Sequence, residues 1–123
     1  MLFSLLLSIV ALAMGITVQT NKAIKEMISI RNCAYVIMTK DGKRGRRYSF
    51  RNGKFSSDTV LSDYDLALVF ESADIGFKTL ALGGDTGLQV AMNNYDLRLV
   101  GNQKIFNFFG VLIAVSMGMM KRK

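Results

Sequence analysis

Two close pairs of carboxylates, Asp63 with Asp65 and Glu71 with Asp74, are the residues whose spacing best suits acid–base chemistry. Neighbouring acids divide into proton donor and acceptor because like charges resist ionising together. Both pairs, however, sit in turn and helix-start contexts (Ser62-Asp63-Tyr64-Asp65 and Glu71-Ser72-Ala73-Asp74), where acids have ordinary capping roles. Asp85-Thr86-Gly87 would act as a proteolytic carboxylate dyad only if a second copy faced it, and one copy in 123 residues demands a homodimer. The surrounding Gly83-Gly84-Asp85-Thr86-Gly87 also lacks the lysine and following hydroxyl of a phosphate loop. With no histidine and a single cysteine, Cys33, the chain has neither the commonest general base nor a cysteine metal cluster or intrachain disulfide. The residues therefore predict no catalytic group, no metal site and no cofactor.

What remains is charge and apolar surface. The formal charge of +7 comes from 16 Lys and Arg against 9 Asp and Glu, and it is segregated. Between Lys40 and Lys54 stand Lys40, Lys43, Arg44, Arg46, Arg47, Arg51 and Lys54 against Asp41 alone, whereas the stretch from Asp58 to Asp96 is acidic except for Lys78. A basic edge of this kind suits anionic headgroups, and Lys43, Arg44, Arg46 and Arg47, with the terminal Lys121, Arg122 and Lys123, are the membrane-surface candidates. A solvated hairpin edge that resists aggregation is the plainer alternative. Tyr35, Tyr48 and Phe50 offer rings for base stacking, but their alternation points them inward, so no nucleic-acid partner is expected.

Half of the residues are hydrophobic and mean hydropathy is +0.27, high for a chain with room for one domain. Met1 to Val18 is uncharged, near the lower length limit for a spanning helix. It reads as a membrane helix or anchor, as a helix packed into the domain, or as a signal peptide cleaved after Ala11-Leu12-Ala13, the last weakened by the lack of a basic residue before it. Thr20 to Asn32 continues as an amphipathic helix, and Lys22, Lys25 and Arg31 beyond the apolar run place the rest of the chain in the cytoplasm by the positive-inside rule. A second uncharged run, Ile105 to Met120, is short for a span and is expected to pack on the sheet or lie in the interface.

The elements between these ends are those of an α+β domain. Ala34 to Thr39 predicts a strand apolar on both faces, Asp41 to Gly45 a turn, and Arg46 to Arg51 an alternating partner strand. Asn52-Gly53 marks a second hairpin into a short strand from Lys54 to Ser57. Leu66 to Phe70 is a further strand, Ser72 to Leu82 a helix capped by Ser72, Asp85 to Asn93 another helix, and Tyr95 to Val100 a last alternating strand. The domain division is 1–32 for the hydrophobic N-terminal helix or anchor with its amphipathic continuation, and 33–123 for the folded domain.

The order and spacing of Tyr48-Ser49-Phe50-Arg51-Asn52-Gly53-Lys54, Asp63-Tyr64-Asp65-Leu66-Ala67-Leu68-Val69-Phe70 and Asp96-Leu97-Arg98-Leu99-Val100-Gly101-Asn102 resemble the sterol carrier (non-specific lipid transfer) domain family, in a bacterial membrane-associated variant. The resemblance spans about Ala34 to Phe109. It implies a five-stranded, mostly antiparallel sheet covered on one face by helices, and non-covalent binding of an apolar lipid, sterol or isoprenoid in a tunnel between them. Some bacterial relatives are accessory factors for lipid-like quinone synthesis. The ligand-lining candidates are Phe70, Phe77, Leu80, Leu97, Leu99, Phe106, Phe109, Leu112 and Ile113, each of which is equally at home filling a core. A closed-core interaction protein at the membrane is the alternative.

Overall fold

In the computed structural model, the described residues are 2–29, 32–82, 87–106, 108–110 and 112–113. Their centre is a strand that avoids water on both sides. β1 (Cys33–Thr39) and β4 (Leu66–Phe70) are almost wholly buried and pair in parallel. β2 (Gly45–Arg51), β3 (Lys54–Asp58) and β5 (Leu97–Gly101) join antiparallel, giving the order β3-β2-β1-β4-β5. The α+β architecture is thus the expected one, with one parallel pair in an otherwise antiparallel five-stranded sheet.

The turns explain the register. Asn52 and Gly53 have φ of 54° and 74°, and Arg51 pairs directly with Lys54, the two-residue hairpin that an Asn-Gly pair favours. At the other edge Gly101 has φ of +112°, and a Cβ there would lie 2.4 Å from the Asp65 carbonyl oxygen, so no side chain fits. Asp65 ties three strand ends together at this point. Its Oδ2 accepts from the Ala34 amide (2.7 Å), its own amide donates to the Ala34 carbonyl (2.8 Å), and its carbonyl accepts from the Asn102 amide (2.8 Å).

One face of the sheet carries the helices. α1 (Leu2–Thr20) buries Phe3, Leu6, Leu7, Val10, Ala11, Ala13, Met14, Thr17 and Val18, a stripe at three- and four-residue spacing. Most of these side chains belong to the same apolar core as Tyr35, Tyr48, Phe50 and Phe70 of the sheet. The Tyr48 hydroxyl donates to the Leu7 carbonyl (2.9 Å), and the Phe3 ring meets Phe70 edge-on at 6.1 Å. Ser8, Thr17 and Thr20 return their hydroxyls to carbonyls four residues back, which lets polar side chains sit in so apolar a helix. Of the readings open to this run, the packing favours a helix built into the domain.

The expected continuation into one long helix is interrupted at Asn21. Its Oδ1 accepts from the Ile24 amide (3.2 Å), so it caps α2 (Lys22–Ser29) as a new start. After β4, Ser72 caps α3 (Ala73–Phe77) as expected, its Oγ accepting from the Ile75 amide (3.3 Å). The predicted single helix then widens into a π-helical stretch, Lys78–Leu82. α4 (Gly87–Asn93) follows, and the reading of Tyr95 as the first residue of the last strand is corrected here. Tyr95 has φ of 61° and is 86% exposed. Its amide bonds to the Met92 carbonyl and that of Asp96 to Ala91, the pair of bonds that ends a helix through a left-handed residue. β5 therefore begins at Leu97.

A 3₁₀ turn, Gln103–Ile105, capped by the Asn102 side chain, leads into helical residues 106, 108–110 and 112–113. The remainder of the predicted apolar helix, with Met117, Met119 and Met120, lies outside the described residues. The opposite face of the sheet is covered only in part. Val36, Ala67 and Val69 form a small buried patch under Leu61 and Tyr64 of the β3–β4 loop.

Candidate functional site

The core under the helices has two halves. Over β1, β2 and β3 it is an aromatic stack: Tyr35 and Phe109 lie face to face, centroids 4.1 Å apart and 8° from parallel, with Phe50 edge-on to Tyr35 and Phe108 tilted against Tyr35 and edge-on to Phe50. Tyr35, Tyr48, Phe50 and Phe109 have no exposed surface. The Tyr35 hydroxyl donates to the Ile105 carbonyl (3.0 Å), as Tyr48 does to Leu7, so each buried hydroxyl fastens a helical segment to the sheet. Burial pushes the ionisation of the Tyr48 hydroxyl well above the ordinary phenol range.

Over β4 and β5 the lining is looser. Phe77, Leu88, Met92, Leu99, Ile105 and Phe106 pack on the core yet remain half-buried, on α3, α4, β5 and the start of the C-terminal helical segment. The intervening roof is the π-helical stretch, a geometry that recurs at functional sites because it widens a helix and re-aims its side chains. Every candidate lining residue belongs to, or packs on, this one apolar cluster. Phe70, Leu80, Leu97, Phe109, Leu112 and Ile113 are fully buried, whereas Phe77, Leu99 and Phe106 keep partly open surface. Phe109 stands in the aromatic half rather than beside Leu99. Leu88 and Met92, which the sequence reading passed over, fall with Ala91 at the helical spacing i, i+3, i+4, and that period was the signal available.

Four of the described acids, Asp41, Asp58, Asp65 and Glu71, are engaged in structural bonds. Asp58 takes Arg47 through two bonds, Nε to Oδ1 at 3.1 Å and Nη2 to Oδ2 at 2.8 Å, and the guanidinium holds its carboxyl below the usual carboxylate range. Asp41 accepts from the Lys43 amide and the Thr39 hydroxyl, bonds that likewise lower its pKa. Asp65 is the strand clamp already described, and Glu71 forms a surface pair with Lys40 at 3.2 Å. Asp85 and Thr86 lie outside the described residues. The rings proposed for base stacking, Tyr35, Tyr48 and Phe50, are buried.

The basic candidates separate by face. Lys43 and Arg44 lie in the β1–β2 turn, and Arg46 bonds to the Ser57 hydroxyl at 2.7 Å; all three border a cleft of about 280 Å³ beside Ser4 and Ser8 of α1. Arg47 alternates to the opposite face, held by Asp58 and the Ser62 carbonyl. Lys121, Arg122 and Lys123 lie outside the described residues.

No protein-family model and no curated protein matches this chain. Among solved structures, one described as UbiJ-SCP2 Ubiquinone synthesis protein superposes at a TM-score of 0.64, covering 91% of this chain and 91% of its own, at 13% identity. The fold is sterol-carrier-like. The same fold accounts for a partial match to the inverting sec-alkylsulfatase Pisa1 from Pseudomonas sp., at a TM-score of 0.54 and 18% identity, over 72% of this chain and 14% of that enzyme. A double mutant of the alkylsulfatase matches similarly, at 0.53.

Proposed function

We propose that the chain binds an apolar lipid-like molecule, such as a lipid, sterol or isoprenoid, without catalysis, and presents or transfers it at a membrane from the cytoplasmic side. The observation that carries this reading is the half-buried wall of Phe77, Leu88, Met92, Leu99, Ile105 and Phe106 in a sterol-carrier-like fold. Covering such surface with a ligand contributes roughly 25 cal/mol per Å² before the costs of association. Met92 adds a flexible thioether that adapts to different guests. The solved neighbour's description as a ubiquinone synthesis protein supports an isoprenoid-like ligand. The anionic cytoplasmic leaflet suits the basic turn.

The aromatic half favours a second reading, a closed-core interaction protein, because a fully buried stack leaves no room for a guest. Native mass spectrometry with lipid extraction separates the two. Wild-type protein is expected to carry a stoichiometric apolar molecule that Leu99→Trp, at a half-buried wall position, displaces while the fold persists. Only loosely held bulk phospholipid, unchanged by the substitution, supports the closed-core reading.

A further inference from the structure

α1 has a second apolar stripe that the core does not use. Leu2, Leu5, Ile9, Leu12 and Ile16 recur at three- and four-residue spacing on the face opposite the buried one, with 37% to 71% of their surface exposed. Ser4 and Ser8 flank that stripe on the side of the β1–β2 turn, where Lys43, Arg44 and Arg46 border their shared cleft. At the other end of the helix, Lys22 and Lys25 of α2 are exposed. A continuous apolar strip is thus bracketed at both ends by positive charge.

We infer that this face of α1, with the Lys43–Arg46 turn, is a docking surface for an anionic phospholipid bilayer, on which α1 lies in the membrane plane. The proposal deepens the membrane part of the functional reading and is independent of the pocket. A spanning orientation would ring α1 with lipid, yet its other face is packed against the sheet and held by Tyr48. A second copy of the chain is a poor occupant: stacked parallel or antiparallel along the stripe, two copies bring basic ends together, with Glu26 the one acid of α2. An anionic bilayer answers both features. The leucines enter the headgroup–acyl boundary, and the turn meets phosphates at the cleft by Ser4 and Ser8.

Vesicle flotation of the full chain tests this, with phosphatidylcholine alone or with added phosphatidylglycerol. Wild type is expected to float with the anionic vesicles and to be released by high salt or alkaline carbonate. Leu5→Glu with Leu12→Glu, and separately Lys43→Glu with Arg44→Glu, are each expected to weaken binding about tenfold or more, since each basic residue near an anionic surface counts for roughly fivefold. These positions are exposed, so circular dichroism should be unchanged; Leu12→Gln serves as a milder substitute if it is not. Equal binding to neutral vesicles, carbonate-resistant insertion, undiminished binding of the stripe variant, or a dimer that Leu12→Glu dissolves would each overturn the proposal. Extracting apolar ligand from the same proteins keeps the readings apart. Ligand retained by variants that no longer float supports docking and the pocket together, whereas vesicle binding without ligand in any protein supports docking and removes the pocket.

Discussion

The two halves of one core differ in a way that composition conceals. Over β1 and β2 the aromatic side chains Tyr35, Tyr48 and Phe50 interlock with Phe109 and are wholly buried, with Phe55 of β3 half-buried at their edge, and two tyrosine hydroxyls pin helical segments onto the sheet. Over β4 and β5 the strand residues Leu66, Leu68, Phe70 and Leu97 are buried as well, but Leu99 and the helical side chains Phe77, Leu88 and Met92 above them stay half-buried beside a π-helical stretch. The first half has the close packing of a protein interior, where any missing volume is costly. The second has apolar surface that stays half-covered among the described residues. On the function proposed above, the first half carries stability and the second carries binding.

Truncation should expose that division most sharply. Phe50→Ala in the aromatic half is expected to cost about 3–5 kcal/mol, whereas Phe77→Ala in the open half should cost nearer 1 kcal/mol while weakening ligand retention, both measured by chemical denaturation. Equal losses would break the comparison. Gly101→Ala, at the seam where β5 meets the Asp65 clamp, should cost about 2–3 kcal/mol because its backbone conformation and the Asp65 carbonyl both reject a Cβ.

Smaller effects sharpen the same contrast. Tyr48→Phe removes the α1 fastening for about 1 kcal/mol near neutral pH. Because burial raises the Tyr48 pKa above its unfolded value of 10.0, the stability linked to the neutral hydroxyl is complete below that pH and declines as pH rises from there towards the folded value. Denaturation across that alkaline range should show the decline in wild type and lose this contribution in the variant. In the open half, Tyr95→Gly relieves a left-handed residue that makes little packing contact and should add up to about 1 kcal/mol without altering ligand binding.

Much of the frame was readable from residues with local consequences. Asn52-Gly53 dictated its hairpin, Leu66–Phe70 its buried strand, and Ser72 its helix start, because each acts through neighbours in the chain. Tyr95 misled for the converse reason: its alternation with Leu97 and Leu99 imitates a strand, while the bonds that end α4 are set by the preceding helix. The nine lining candidates all lie in or against the main apolar core, and the sequence had no means of separating Phe109, locked against Tyr35, from Leu99, left half-open. That distinction depends on which helix settles over which strand. The basic turn was visible as charge, whereas the split between Arg46 and Arg47 needed the strand's two faces and the position of Asp58.

Photolabelling with a diazirine-bearing fatty acyl probe, followed by peptide mapping, tests the division directly. Labels are predicted on Phe77, Leu88, Met92, Leu99 and Phe106, and to be absent from β1 and β2. Saturable labelling centred on Tyr35, Tyr48 and Phe50, or no saturable labelling of the wall over β4 and β5, would contradict the account.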